Sequence, residues 1–298
     1  MMRNPKGEVV KFIAPDGYIY TGLLYKSNKS KTTVIHIHGM CGNMLSFSSI
    51  IDLADMYQRN GYNLLTFNLK SHDCIAEGIY TEENDVKNEF YYVGGSLETF
   101  ERRFVDIECA IEFARNFSDN IILQGHSMGC ESIIAFQITK KRFFDTILIS
   151  PCDAYKLQLD YIYPKSIEEQ IAELDSYSNE FMLPAHFFGI NTPTYTNIGR
   201  YTIPIYKNAM YSILTGLALK VFRQDVDLKY FLPVSCICVL GKNDPMQTYP
   251  SQRAFDLMTP KFKSYQGVAL DGDHEMKPCQ NELASIIISW LHNRENKV

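Results

Sequence analysis

The residues able to do chemistry in this chain begin with a serine between two glycines. Gly125-His126-Ser127-Met128-Gly129 fits the spacing G-x-S-x-G. Three small residues at fixed spacing arise by chance in roughly one chain in ten of this length, so context must carry the reading. Asn120–Gln124 before the motif has the pattern of a strand, and Met128–Thr139 after it that of a helix. Strand, turn and helix are the setting the motif requires. A nucleophile on so sharp a turn needs neighbours nearly free of side chains. Its hydroxyl then projects at a helix N-terminus, where the dipole and free amides favour a developing anion.

A serine hydroxyl is a weak nucleophile at neutral pH and needs a base. His274 is the preferred base, in the polar loop Asp271-Gly272-Asp273-His274-Glu275 between the last expected strand and the terminal helix. His36 lies within a strand, His126 in the turn itself, His186 in an inserted block and His292 near the end, while His72, on a loop, remains a rival. The base in turn needs a carboxylate to fix its tautomer and stabilise the imidazolium. Asp244 follows the strand Pro233–Leu240 and gives the order Ser…Asp…His. Asp153 is the rival acid, and Asp273 stands too near His274 in the chain to be chosen. An oxyanion needs two amide donors aimed at one point. The N–H of Met128 is one, and the N–H of Met40, in His38-Gly39-Met40-Cys41-Gly42, is the chosen second.

These groups are far apart in sequence, so the elements between them must bring them together. Val9–Ile13 and Tyr18–Tyr25 read as two strands joined through Ala14-Pro15-Asp16-Gly17, a tight-turn composition. Further strands are expected over Thr32–His38, Asn63–Leu69, Asn120–Gln124, Thr146–Ser150, Pro233–Leu240 and Ser264–Leu270. Helices are expected over Ser46–Arg59, Thr99–Phe117, Met128–Thr139, Arg253–Met258 and Gln280–His292. Phe100, Phe104, Ile107, Ile111 and Ala114 recur at three- and four-residue spacing in the second of these. Strands alternating with helices imply an α/β fold: a mostly parallel eight-stranded sheet with helices on both faces and an antiparallel opening hairpin. Lys70–Ser96 is less regular, and its charged run Glu82, Glu83, Asp85, Lys87 and Glu89 reads as a solvated loop. The core is assigned to residues 1–152 and 231–298, with 153–230 as an insertion. Nine of the nineteen tyrosines fall between Tyr155 and Tyr230. They are expected either to wall a substrate pocket or to pack the insertion onto the sheet.

The chain has 298 residues, 46% hydrophobic and 21% charged, which is globular composition. The net charge of −5 and the absence of a dense Lys/Arg block speak against a nucleic-acid groove. Apolar runs such as Cys236–Leu240 are far below the roughly 20 residues of a membrane span. No apolar core follows the first residues, so no secretory signal is expected. The eight cysteines contain no CxxC pair and read as reduced thiols of a cytoplasmic protein.

The His-Gly loop, the Gly-His-Ser-Met-Gly turn, Asp244 and His274, in that order, resemble the α/β-hydrolase superfamily. The resemblance spans nearly the whole chain, with 153–230 in the place of a cap or lid. It implies Ser127 as nucleophile, His274 as base, Asp244 as acid, and Met40 and Met128 as oxyanion amides. Relatives that use Asp at the nucleophile position, the epoxide hydrolases and haloalkane dehalogenases, are set aside by Ser127. Lys70-Ser71-His72-Asp73 departs from the Arg-Gly-His-Gly-type turn of many members, so their substrates are not carried over. The expected activity is hydrolysis of a carboxylic ester or thioester through an acyl-enzyme. The expected partner is a small-molecule acyl substrate, free or carrier-bound, and no cofactor or metal is called for. Acyl transfer or cyclisation with the same three residues is the alternative, and a ligand-binding protein without catalysis a third.

Overall fold

The computed structural model describes residues 5–28, 30–80, 91–178, 182–184, 187, 189–190, 201–202, 204–223 and 229–295. The charged run at 82–89 lies outside them, as does His186. Eight strands form the main sheet: β1 (Glu8–Ile13), β2 (Ile19–Tyr25), β3 (Thr32–Ile37), β4 (Asn63–Phe67), β5 (Asn120–His126), β6 (Thr146–Ile149), β7 (Leu232–Gly241) and β8 (Phe262–Leu270). Their order is β1-β2-β4-β3-β5-β6-β7-β8. β2 runs antiparallel to both neighbours, and every pair from β4 to β8 is parallel. The eight-stranded, mostly parallel sheet and its antiparallel opening hairpin therefore stand as the sequence implies.

The central strands are β-branched runs with no polar face. Every residue of β3, β4 and β6 is buried, as a strand covered on both sides requires. One side is covered by α2 (Arg102–Arg115) and α3 (Met128–Lys140), whose Ile107, Ala110, Ile133 and Phe136 enter a core with Ile35, Leu65 and Leu123. The other side is covered by α1 (Ile50–Arg59) and, after the insertion and the later helices, by Gln280–Glu295. There Leu53, Tyr57, Ile287 and Leu291 pack with Val34, Leu64 and Ile122. Cys236 and Cys238 share the first of these cores, on one side of β7, and none of the eight cysteines forms a disulfide.

Local turns shorten two expected helices. α1 starts at Ile50, not Ser46, because residues 43–49 are spent on turns, with Ser46 N–H bonded to Asn43 O (3.1 Å) and Ile50 N–H to Phe47 O (3.0 Å). α2 starts at Arg102, after turn bonds such as Arg102 N–H to Thr99 O (3.2 Å). Within the irregular segment after β4, Ala76–Gly78 pairs antiparallel with Tyr91–Val93, a strand pair the sequence pattern did not suggest. It is too short to show an alternation, and the ring of Tyr80 packs on those of Tyr18 and Tyr91.

Between β6 and β7 the described residues include four helical segments. α4 (Ala154–Leu157) runs into a π-helical turn, Gln158–Ile162, followed by α5 (Ile167–Asp175) and α6 (Lys207–Thr215). A capping box opens α5: Ser166 Oγ accepts from Glu169 N–H, and the Glu169 carboxylate accepts from Ser166 N–H. α7 (Ser251–Met258) connects β7 to β8, and α8 is the terminal helix Gln280–Glu295. Among the described residues no helix is long and apolar enough to cross a membrane.

Candidate active site

β5 ends at His126 and α3 begins at Met128, which leaves Ser127 alone to make the turn, at φ 52° and ψ −131°. A non-glycine residue there is strained by about 1–3 kcal/mol, and such strain persists only where the surroundings enforce it. They do so here. Ser127 N–H donates to Ile149 O (3.0 Å), and Ser127 O accepts from Cys130 N–H (2.8 Å). The flanking glycines are required by contact. A Cβ on Gly129 would lie 2.0 Å from Ile37 O, and one on Gly125 would lie 2.6 Å from Cys130 N. The first turn of α3 thus sits directly on the end of β3, with the serine at its mouth.

His274 follows β8 in a loop laid over the end of β7. Gly241 permits this, since a Cβ there would meet Gly272 O and Asp273 O, each at 2.5 Å. Asp244, just past β7, is buried, and its Oδ2 accepts from His274 Nδ1 at 2.9 Å while its Oδ1 accepts from Met246 N–H at 2.8 Å. Burial opposes charging of His274, but the hydrogen bond and charge of Asp244 outweigh it, and its pKa lies above the usual 6.5. The rival acid Asp153 instead caps α4, accepting from Lys156 N–H at 3.0 Å. Asp273 braces its own loop, accepting from Glu275 N–H (2.9 Å) and Lys277 N–H (2.8 Å). The rival base His72 is bonded through Nδ1 to Leu69 O (2.9 Å), within its own loop.

Two side chains hold the backbone of His274 from below. Its carbonyl accepts from His126 Nε2–H and from Ser150 Oγ–H, both at 2.9 Å. Burial, then the neighbouring His274 ring, holds the His126 pKa well below 6.5, so the ring is neutral, with its proton on the nitrogen facing the carbonyl. Phe47 stacks on it at 4.3 Å between centroids. Sequence reasoning places His126 only in the turn; in the fold its ring holds the His274 carbonyl.

The loop after β3 carries the expected second oxyanion amide. Gly39 comes so close to Ser127 that a Cβ on it would be 3.0 Å from Ser127 Cβ and 3.4 Å from Ser127 Oγ. The Gly39 carbonyl accepts from His38 Nδ1 (2.9 Å), Arg103 Nη2 (3.0 Å) and Gly42 N–H (3.3 Å). Leu69 N–H donates to the other nitrogen of His38 (3.2 Å), which fixes the His38 tautomer. A trans peptide points its N–H opposite its C=O, so these three donors turn Met40 N–H away from themselves. Arg103, 2% exposed, also donates to His38 O and Ser132 Oγ, both at 3.1 Å. Burial lowers its pKa to about 10, which leaves it charged. Sequence reasoning missed Arg103, because no motif links it to a loop more than sixty residues earlier. Met128 is the first residue of α3, and its N–H is among those with no partner inside the helix.

Ser127, Met40, Met128 and His274 line one cavity of about 400 Å³. Asp244 stands behind the imidazole. No hydrogen bond joins Ser127 Oγ to the His274 ring among those described, so the pair shares a wall without being locked together; such bonds often tighten only when substrate binds. From residues 153–230, the cavity takes Ala154, Leu157, Gln158, Ile162, Ile213 and Leu219. No tyrosine or phenylalanine is among the described lining residues. Of the two expectations for the aromatics, the described ones fit packing. Phe187 is fully buried between Tyr163 (5.4 Å) and Tyr177 (5.9 Å). Among the described residues no group of three His, Cys, Asp or Glu side chains is gathered as a metal site would need.

No family model matches this sequence, and no curated protein matches it. Solved structures do match along almost its whole length. Est1E of Butyrivibrio proteoclasticus, determined with bound ferulic acid, is 14% identical with a TM-score of 0.62, covering 95% of this chain and 98% of its own. The α/β hydrolase GrgF of Penicillium sp. sh18 is 15% identical with a TM-score of 0.63, covering 96% and 97%. The esterase Pf2001 of Pyrococcus furiosus is 15% identical with a TM-score of 0.59, covering 97% and 90%. At these identities the likeness is one of fold.

Proposed function

We propose that this chain, which has the α/β-hydrolase fold, is a serine hydrolase that cleaves a carboxylic ester or thioester through an acyl-enzyme on Ser127. One observation carries the reading. The 2.9 Å bond from His274 Nδ1 to the buried Asp244 carboxylate lies behind an imidazole that shares a cavity with a serine held at φ 52°. That two of the structures of like fold are an esterase and an α/β hydrolase supports it.

In this reading Ser127 Oγ attacks the acyl carbonyl as His274 Nε2 takes its proton. Asp244 holds the proton-bearing Nδ1 and stabilises the imidazolium. The carbonyl oxygen becomes an oxyanion between the N–H groups of Met40 and Met128. The intermediate collapses, the C–O or C–S bond breaks, and the leaving group takes the proton from His274 Nε2. Water then repeats the sequence and frees Ser127 and a carboxylic acid. The residues 153–230 act as a cap whose aliphatic side chains receive the apolar part of the substrate.

A fluorophosphonate probe tests this directly. It is expected to label the protein at Ser127, and the Ser127→Ala variant is expected to lose labelling and at least about 10⁴-fold in ester turnover. Turnover that survives in the variant removes Ser127 from the reaction.

A further inference from the structure

We propose that Glu131 forms a polar subsite in this cavity, donating a hydrogen bond from Oε2–H to a neutral acceptor oxygen of the substrate: an ether, hydroxyl or carbonyl. This rests on the hydrolase reading above and narrows its substrate class to esters that carry a second oxygen function away from the reacting carbonyl.

Glu131 lies four residues beyond Ser127 on α3, where a glutamate ordinarily faces water. Here it is 1% exposed and lines the cavity. Its Oε1 accepts from the Cys152 thiol at 3.6 Å, and its Oε2 is buried with no hydrogen-bond partner. It takes part in no ion pair among the described residues. Burial pushes its pKa up to about 8, against the lowering effects of its own amide, of the Cys152 thiol and amide, and of His274. At a pKa of about 8 most of the group is the carboxylic acid at neutral pH, and that form has an O–H to give. A buried donor left without an acceptor is costly and rare. The cavity lining mixes Leu157, Ile162, Ile213 and Leu219 with polar groups such as Gln158 and Ser127, none of which is bonded to Oε2, so an oxygen atom on the bound molecule would supply what the protein does not.

The charged and titratable groups near Glu131 favour a neutral partner over a cation. They are Arg103, His274, Cys130 and Cys152. Arg103 is a buried cation, and His274 becomes one in the reaction. An ammonium group against Glu131 would sit beside both, whereas an ether or carbonyl oxygen meets the acid without adding charge.

The test uses the full chain and ester pairs that differ only by an oxygen replacing one CH₂. In one arm, 4-nitrophenyl octanoate is compared with its 4-oxa, 5-oxa and 6-oxa analogues. In the other, the oxygen is placed in the alcohol of butanoate esters. The arms separate an acyl-side from an alcohol-side acceptor. In one arm, at one oxygen position, kcat/KM for the oxa ester is expected to exceed that of its all-carbon partner by about five- to tenfold. Glu131→Gln, which keeps a donor, should retain the ratio, and Glu131→Met should abolish it. The wild-type ratio should fade as pH rises through about 8, while the Gln variant's ratio stays level. If the Met variant does not fold, that contrast between wild type and Gln decides alone. Ratios equal in wild type and Met variant at every position, in a protein that labels at Ser127, overturn the subsite and leave the hydrolase reading standing. A preference for aminoalkyl esters that grows above pH 8 and vanishes in the Gln variant also overturns it, in favour of a cation site. A protein that neither labels nor turns over any ester overturns the hydrolase reading, and the subsite with it.

Discussion

Asp244 divides its carboxylate between a fixed backbone amide, Met246 N–H, and the imidazole of His274. The first bond orients the second, and together they decide the charge of the ring. Without the carboxylate, burial would act on His274 against only the smaller effects of Glu275 and Glu131, and its pKa would fall; with it, the net shift is upward. A base works only when unprotonated, so kcat/KM of the wild type should rise with pH through a limb above 6.5. Asp244→Asn should move that limb to lower pH and cut the plateau on the order of 10³–10⁴-fold, because the amide no longer fixes the tautomer. A pH–rate profile of both proteins checks this. An unmoved limb would mean that another group controls the ring. The residues of this site differ in how legible they were. Ser127 is readable because its constraint is local, two glycines and a strand–helix junction within five residues. Asp244 and His274 follow from their places after successive strands. His126, Arg103 and Glu131 act through contacts that no local spacing encodes, and each looks ordinary in sequence: a turn histidine, a helical arginine and a helical glutamate.

At the level of elements, the site is a meeting of strand ends that one helix clamps. α2 lies across the sheet and sends Arg103 to the carbonyls of His38 and Gly39 and to Ser132 Oγ on α3. One guanidinium therefore sets the loop after β3 against the helix that follows Ser127. A lysine keeps the charge but lacks the planar fork that can reach three acceptors. In Arg103→Lys the Met40 amide should lose its orientation, which matters when the oxyanion forms and little before. The expected result is a fall in kcat of about 10–100-fold with KM nearly unchanged, measured alongside a thermal melt. A raised KM with kcat intact would make Arg103 a contributor to substrate binding, not to the oxyanion amide. The elements themselves were mostly readable, because buried parallel strands give continuous apolar runs and the covering helices give three- and four-residue spacing. Their starts were not. The turns at 43–49 and 99–101 carry residues compatible with a helix and are ended by hydrogen bonds to the preceding loop. Residues 153–230 were opaque for another reason: a four-residue helix passing into a π-helical turn is too short to show a period, and abundant aromatics do not by themselves separate a pocket wall from packing.

On the scale of the whole molecule, the sheet separates two apolar cores, and several imidazoles are buried with it. His36 sits in the middle of β3 with its Nδ1 accepting from Gln124 Nε2 at 2.9 Å, its ring stacked near Phe47 and its Nε2 without a partner. Burial lowers its pKa from 6.5 to about 3. The unfolded chain takes up a proton on this residue below pH 6.5, and the folded protein does not until about pH 3. Folding stability from this residue is therefore complete above 6.5 and declines as pH falls through that window. The decline approaches about 1.4 kcal/mol per pH unit, or about 2 kcal/mol by pH 5. His36→Phe keeps a planar ring beside Phe47 and removes the titration. It forfeits the Gln124 bond at every pH, so its cost should be constant except for the missing proton. The stability difference between variant and wild type, from urea unfolding, should shift by about 2 kcal/mol in favour of the variant between pH 7.5 and pH 5. His38 and His126 feel His36 only as a minor cause beside their own burial, and groups that do not feel it cancel from that difference. Parallel stability curves would show that His36 gains its proton in the folded state as readily as in the unfolded one, and that the sheet's interior is less closed to charge than its packing implies.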